Sequence, residues 1–233
     1  MKKVTKEIEK VIKVLSGRME GFYLAGGTAL SLFYYRHRES YDLDFFTQDF
    51  QKSLAEKIME YVASATGYKV ELVGEEDRKG LARICVYSVR ARTNGFKIDF
   101  VEDVHKLIDL PKMVDGVPVL SLEDIYLRKI FAACGSYEVI NDAGKKEFKG
   151  GRQEAKDLFD LFYLSTTFMP ISKFAVTYCD PAQIESIVVW YRTFDRMEIK
   201  LGLQDIITDK AVDFQVMERY FRSEIERIIE EQL

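Results

Sequence analysis

The stretch AGGTALSLFYYRHRESYDLDFF, residues 25–46, constrains this chain more than any other. In DLDFF polar and apolar residues alternate, and successive side chains of a strand point to opposite faces. Asp42 and Asp44 therefore share one face while Leu43 and Phe45 share the other. Just upstream, FYLA (22–25) reads as a short buried strand running into Gly26-Gly27-Thr28, and ALSLFYYR reads as a helix. A strand, a glycine turn, a helix and a half-buried strand in that order call for a sheet with helices packed against it.

The neighbouring segments extend that unit. Near the start, Ile8, Val11, Ile12 and Leu15 fall on one helical face, which marks an amphipathic helix and not a signal peptide. Residues 47–66 carry Leu54, Ile58, Tyr61, Val62 and Ala65 at helical spacing, closed by Gly67. Extended runs follow at 68–73, 81–89 and 96–101, the last two joined by a turn around Thr93-Asn94-Gly95. From Ser121 onward the pattern is helical, at 121–134, 152–166, 181–194 and 213–232. The expected fold is thus α+β: a mixed sheet with flanking helices over 1–120, then a helical domain over 121–233. Between the first two of those helices, residues 134–151 are polar and punctuated by glycine, a flexible or hairpin insertion carrying Lys145, Lys146 and Lys149.

At 233 residues, 47 % hydrophobic and 31 % charged, the chain can bury its cores without metal or disulfide staples. Cys85, Cys134 and Cys179 are far apart and form no CxxC, which fits a reducing, cytoplasmic setting. No apolar run approaches the ~20 residues that span a bilayer, so no membrane is expected. A net charge of -4 excludes a protein that coats nucleic acid by bulk attraction. A local basic stretch remains, Arg78, Lys79, Arg83, Arg90, Arg92 and Lys97, with no acid among them.

Two carboxylates projecting together repel unless a cation lies between them, and hard oxygen ligands suit Mg²⁺ or Mn²⁺. A solvated strand face with two ordinary acids is the competing explanation. In FKIDF, Phe96, Ile98 and Phe100 take one face and leave Lys97 and Asp99 on the other, so a third acid is available to converge. Gly26 and Gly27 permit close backbone approach, and a helix starting near Thr28 offers free N–H groups to a phosphate, although a glycine pair before a helix is also an ordinary tight turn. Lys129 lies within the arc of Leu122, Ile125, Tyr126 and Ala133. It either snorkels at a helix edge or presents its ammonium to phosphate oxygens. Asp157 and Asp160 sit three apart on a helix that is apolar almost all round, which asks for a cationic partner: Lys129, a bound metal, or a plain structural salt bridge.

Taken in order, GGTALSLFYYRHRESYDLDFF, KIDF, LEDIYLRKI and RQEAKDLFDLFYL resemble the AbiEii-type nucleotidyltransferase toxins of the polymerase-β-like superfamily, over roughly residues 20–166. The resemblance implies that Gly26, Gly27 and Thr28 hold nucleotide phosphates, that Asp42 and Asp44 bind metal, and that Asp99 is the third carboxylate. It implies that Lys129 contacts phosphate, that Asp157 with Asp160 completes the pocket, and that Arg38 and Ser40 lie beside it. The activity implied is Mg²⁺- or Mn²⁺-dependent transfer of a nucleoside monophosphate from an NTP to an acceptor hydroxyl, with the helical domain contributing to the cleft. The acceptor implied is RNA, at the 3′ end of tRNA, and the role is that of a toxin restrained by an antitoxin. Two departures stand out. Gly27-Thr28 replaces the frequent Gly-Ser, and the insertion at 135–151 bears on acceptor choice. A small-molecule nucleotidyltransferase of the antibiotic-modifying kind and a non-catalytic NTP-binding module are the rivals.

Overall fold

The computed structural model describes residues 3–19, 21–78, 81–91, 94–135, 137–140, 142, 144, 146–149, 151–152 and 154–232. They form two compact units, Met1–Asp124 and Ile125–Leu233. Lys79, Arg92, Thr93 and Lys145, singled out above, lie outside the described residues.

The first unit opens with α1 (Lys3–Leu15), followed by β1 (Tyr23–Ala25), α2 (Gly26–Ala29), β2 (Asp42–Thr47) and α3 (Lys52–Thr66). Three long strands come next, β3 (Lys69–Glu76), β4 (Ile84–Arg90) and β5 (Gly95–Glu102), and then the short β6 (Lys112–Val114) and β7 (Val117–Val119). The seven strands make one mixed sheet in the order β3-β4-β5-β2-β1-β7-β6. β2 runs parallel to β5 and antiparallel to β1. Leu43, Phe45, Ile98 and Phe100 are fully buried on one face of the sheet, where Phe100 stacks on Phe45 and meets Phe22 edge-on. The predicted apolar stripe of α1 packs there together with Ala55, Ile58, Met59 and Val62 of α3. One face of the sheet is thereby roofed by helices, and the polar positions of β2 and β5 point away from them.

Three local details depart from the sequence expectation. The helix begins at the glycine pair and not at Thr28: α2 starts at Gly26, whose φ of +68° is the left-handed turn, and it continues as a π-helical segment through Tyr34, closed by a Tyr35 N–H to Leu30 C=O bond of 2.8 Å. β2 reaches Thr47 and the next helix starts only at Lys52. The β6–β7 hairpin was not anticipated. It turns on Asp115-Gly116, both at positive φ (50° and 79°), the pairing that a two-residue hairpin requires.

The second unit takes most of α4 (Leu122–Cys134), then β8 (Tyr137–Ile140) and β9 (Lys146–Lys149), which pair as an antiparallel hairpin, so the insertion takes the hairpin alternative. α5 (Ala155–Thr167), α6 (Ile171–Tyr178), α7 (Pro181–Thr193), α8 (Arg196–Gly202) and α9 (Phe214–Gln232) follow. Its core is aromatic: Tyr126 stacks on Phe174 at 4.1 Å, and Phe221 of α9 is met edge-on by Trp190. α6 and α8 were not anticipated. Pro170 precedes the one, and Asp195 caps the other by accepting from the N–H groups of Met197 and Glu198. Cys85, Cys134 and Cys179 are all free thiols. Among the described residues no helix is long and apolar enough to cross a membrane.

Candidate active site

Strand register assembles the first group of candidate residues. Ala25 of β1, Asp44 of β2 and Asp99 of β5 are direct neighbours in one row across the sheet, and Asp42 pairs with Lys97 two residues away. Neighbours in a row point to the same face, so all three predicted carboxylates lie on the face opposite the buried aromatics. Asp42 is exposed, and Asp44 and Asp99 are intermediate. The Lys97 N–H donates to Asp42 Oδ1 at 3.3 Å.

Asp99 carries the clearest electrostatic signature. Its Oδ1 is buried and accepts no hydrogen bond among the described residues. Burial first, and then the charges of Asp44 and Asp42, push its carboxyl up from 3.8 to about 6, against a smaller opposing effect of Lys97. Among the described residues no three His, Cys, Asp or Glu side chains are gathered as tightly as a metal cage requires. What the face offers instead is three hard carboxylates in mutual repulsion, one with an oxygen left over. That donor set suits a divalent cation of the Mg²⁺ or Mn²⁺ type.

The glycine element is bound to this face sterically. Gly26 has φ +68°, and a Cβ built on it would collide with Asp44 Oδ2. Only a residue without a side chain lets the helix start pass so close to the carboxylate. Gly27 and Thr28 are buried in the first turn, where no side chain of the preceding Ala25 caps the free N–H groups. The Thr28 hydroxyl, fully buried, is directed to the Asp42 carbonyl and to Ser40 Oγ, 2.8 Å away. Thr28 and Ser40 thus tie the first turn of the helix to the start of β2. Arg38 is half-buried and donates to the Glu39 carbonyl at 3.0 Å. Tyr34, at the end of the π segment, donates to the Leu120 carbonyl at 2.6 Å, and such π turns recur at functional sites.

The second unit holds its own charged cluster. Lys129 is 5 % exposed, and its ammonium lies 2.8 Å from Asp157 and 2.7 Å from Asp160. The snorkelling alternative is therefore overturned: this lysine is buried and doubly paired. Asp157 also takes the Arg152 guanidinium, Nε to Oδ2 at 2.7 Å. Burial on its own raises the Asp157 carboxyl, but Lys129 and Arg152 outweigh it and hold the group below its ordinary value. Arg152 was missed. The signal was present in RQEAKD, where an arginine just upstream of the helix can fold back on its first turn.

The basic stretch from 78 to 97 does not remain one patch. Arg78 pairs with Glu76 (2.5 Å) and Arg83 with Glu102 (2.8 Å) at one end of the strands. Arg90 and Lys97 lie toward the other.

Residues 13–231 match the family described as nucleotidyl transferase AbiEii toxin, type IV TA system. No curated protein matches the chain. Among solved structures, JHP933 from Helicobacter pylori is similar with a TM-score of 0.62 at 16 % identity, covering 99 % of this chain and 96 % of that one. A second H. pylori protein, provisionally assigned as a nucleotidyltransferase, gives 0.63 at 16 % identity with all of both chains covered. At that identity the two likenesses speak to the fold, which they share from end to end.

Proposed function

Because this chain belongs to the AbiEii nucleotidyltransferase toxin family of type IV toxin–antitoxin systems, we propose that it transfers a nucleoside monophosphate from an NTP to RNA, at the 3′ end of tRNA. Family membership makes it a nucleotidyltransferase with an NTP substrate and an antitoxin counterpart. Nucleotidyltransferases of this kind generally use divalent metals. The choice of Mg²⁺ or Mn²⁺ and of RNA as acceptor is our reading.

In this reading Asp42, Asp44 and Asp99 hold the cation. When bound, that cation neutralises triphosphate charge and lowers the pKa of the acceptor hydroxyl. The observation that carries the assignment is the buried Asp99 Oδ1, which accepts no hydrogen bond among the described residues and is repelled by two neighbouring carboxylates. A cation relieves both penalties at once. The uncapped first turn at Gly26-Gly27-Thr28 directs N–H groups toward phosphate oxygens, and Gly26 sets that turn against Asp44. The acceptor hydroxyl gives its proton to solvent as its oxygen bonds to the α-phosphorus, the bond between that phosphorus and the α–β bridging oxygen breaks, and pyrophosphate leaves. By the family resemblance Arg38 of the first unit, and Lys129, Asp157 and Asp160 of the second, are assigned to binding the nucleotide.

The test is incubation with each labelled NTP, total RNA and Mg²⁺ or Mn²⁺, with an aminoglycoside in a parallel arm. Label on tRNA with matching pyrophosphate release is the expected result. Label on the aminoglycoside alone, or NTP retained without pyrophosphate release, overturns the proposal.

A further inference from the structure

The carboxylate face of the first unit continues beyond the acids. Across β2, β5, β4 and β3 the register places Asp42, Lys97, Ser88 and Glu71 in one row, and Gly95, Arg90 and Lys69 in the next row on the same face. Lys69, Arg90 and Lys97 are exposed, and Ser88 and Glu71 intermediate. Three cations from three adjacent strands therefore line one end of the face that bears Asp42, although in the chain they are spread over 29 positions, from 69 to 97. Lys69 stands outside the linear basic stretch and joins the patch only through β3–β4 pairing.

We infer that this row is the track for the acceptor's phosphodiester backbone, an inference that rests on the reading of the acceptor as RNA. The occupant follows from charge and continuity. Strands lie ~4.8 Å apart and rise ~3.3 Å per residue, which puts the Arg90 backbone about 12–16 Å, and the Lys69 backbone about 16–20 Å, from the backbones of the three acids. That span suits phosphates a few nucleotides upstream of an accepting 3′ hydroxyl, and it is too long for the triphosphate of the same NTP. The track is also low. Gly95 faces Arg90 without a side chain, and Ser88 is the small residue between Lys97 and Glu71. Glu71 is the one opposing charge in these rows apart from Asp42 itself. It holds Lys69 at 2.6 Å and reaches Arg90 at 4.0 Å, and exposed pairs of this kind are worth little, so a phosphate displaces it readily. Until then Glu71 keeps both cations over the same strip of sheet.

The test uses the full chain and the labelled-RNA assay. Arg90→Gln/Lys69→Gln is expected to raise KM for RNA about tenfold, and to reduce the salt dependence of log KM by about 1.4, or 0.7 for each of two lost phosphate contacts. Turnover at saturating RNA and NTP affinity by equilibrium dialysis stay at the wild-type values. Glu71→Gln moves KM the opposite way, and Arg78→Gln, which removes a cation at the other strand end, leaves it unchanged. Unchanged KM and salt slope in the double variant, with wild-type protein labelling RNA, overturn this inference and leave the proposed function standing. Wild-type protein that labels no RNA overturns both.

Discussion

Replacing Asp99 with asparagine removes the group that the carboxylate face most disfavours in its charged form. The unfolded chain ionises this carboxyl at 3.8 and the folded chain at about 6. Between those values the unfolded state gives up its proton first, so folding stability falls as pH rises and the loss is complete above about 6. At 1.36 kcal/mol per pH unit the displacement sets an upper limit of ~3 kcal/mol. Solvent reaches part of the group and screens it, so roughly half of that, ~1.5 kcal/mol, is the realistic figure. The substituted side chain also places an amide N–H₂ beside Asp44, a donor where two like charges stood. Asp99→Asn should therefore melt about 3–6 °C higher than wild type at pH 8 in chelator, at ~2–4 °C per kcal/mol for a chain of this size. The gain should shrink at pH 5 and vanish below about 3.8. Millimolar Mg²⁺ or Mn²⁺ should then raise the wild-type midpoint and leave the variant nearly unmoved, while the variant transfers no label. Thermal denaturation at two pH values, with and without metal, reads all of this. A variant that melts below wild type at pH 8 in chelator refutes the reasoning.

Other perturbations probe other parts of the account. Gly26→Ala forces a side chain into Asp44 at positive φ and should cost about 1–3 kcal/mol with loss of transfer, measured by urea denaturation and the labelling assay; near-native values in both would contradict the close approach. Lys129→Met leaves Asp157 and Asp160 buried without their shared ammonium and should cost about 3–5 kcal/mol. Urea midpoints should return part of that when Asp160→Asn is added, and strict additivity would argue against a coupled cluster. The depressed Asp157 carboxyl has the opposite sign to Asp99: its contribution is present above the ordinary carboxylate value and is lost as pH falls below it. Acid unfolding followed by circular dichroism should accordingly start at higher pH in Arg152→Gln, which weakens the paired form, than in wild type.

The parts of the site that depend on local pattern were legible in the chain. Alternation in DLDFF and FKIDF placed Asp42, Asp44 and Asp99 on polar strand faces, and helical spacing put Lys129 among apolar neighbours with Asp157 and Asp160 in need of a cation. Pairing across distance was not legible. Nothing local says that β2 and β5, some fifty residues apart, run parallel in a register that sets Asp99 beside Asp44 and Lys97 beside Asp42. For the same reason the linear basic stretch misled. Strand alternation and antiparallel return divide it between two ends of the sheet, give Arg78 and Arg83 to Glu76 and Glu102, and bring in Lys69 from another strand. The β6–β7 hairpin differs from these cases, since Asp115-Gly116 between β-branched residues is itself a hairpin signal. The glycine pair reads as a turn because glycine disfavours helices. What the local sequence does not contain is the Asp44 carboxylate packed against Gly26, which excludes a side chain at that left-handed position.

The most direct measurement compares wild type with Asp42→Asn in the transfer of label from NTP to bulk tRNA, with the melting temperature of each recorded alongside. Asp42 is exposed on the strand face, and its side chain accepts a long backbone hydrogen bond at 3.3 Å, so its replacement should leave the fold intact. Wild type should label fully and Asp42→Asn not at all, with midpoints within about 1 °C, the range of a surface substitution. Wild-type labelling by the folded variant would contradict the role assigned to Asp42.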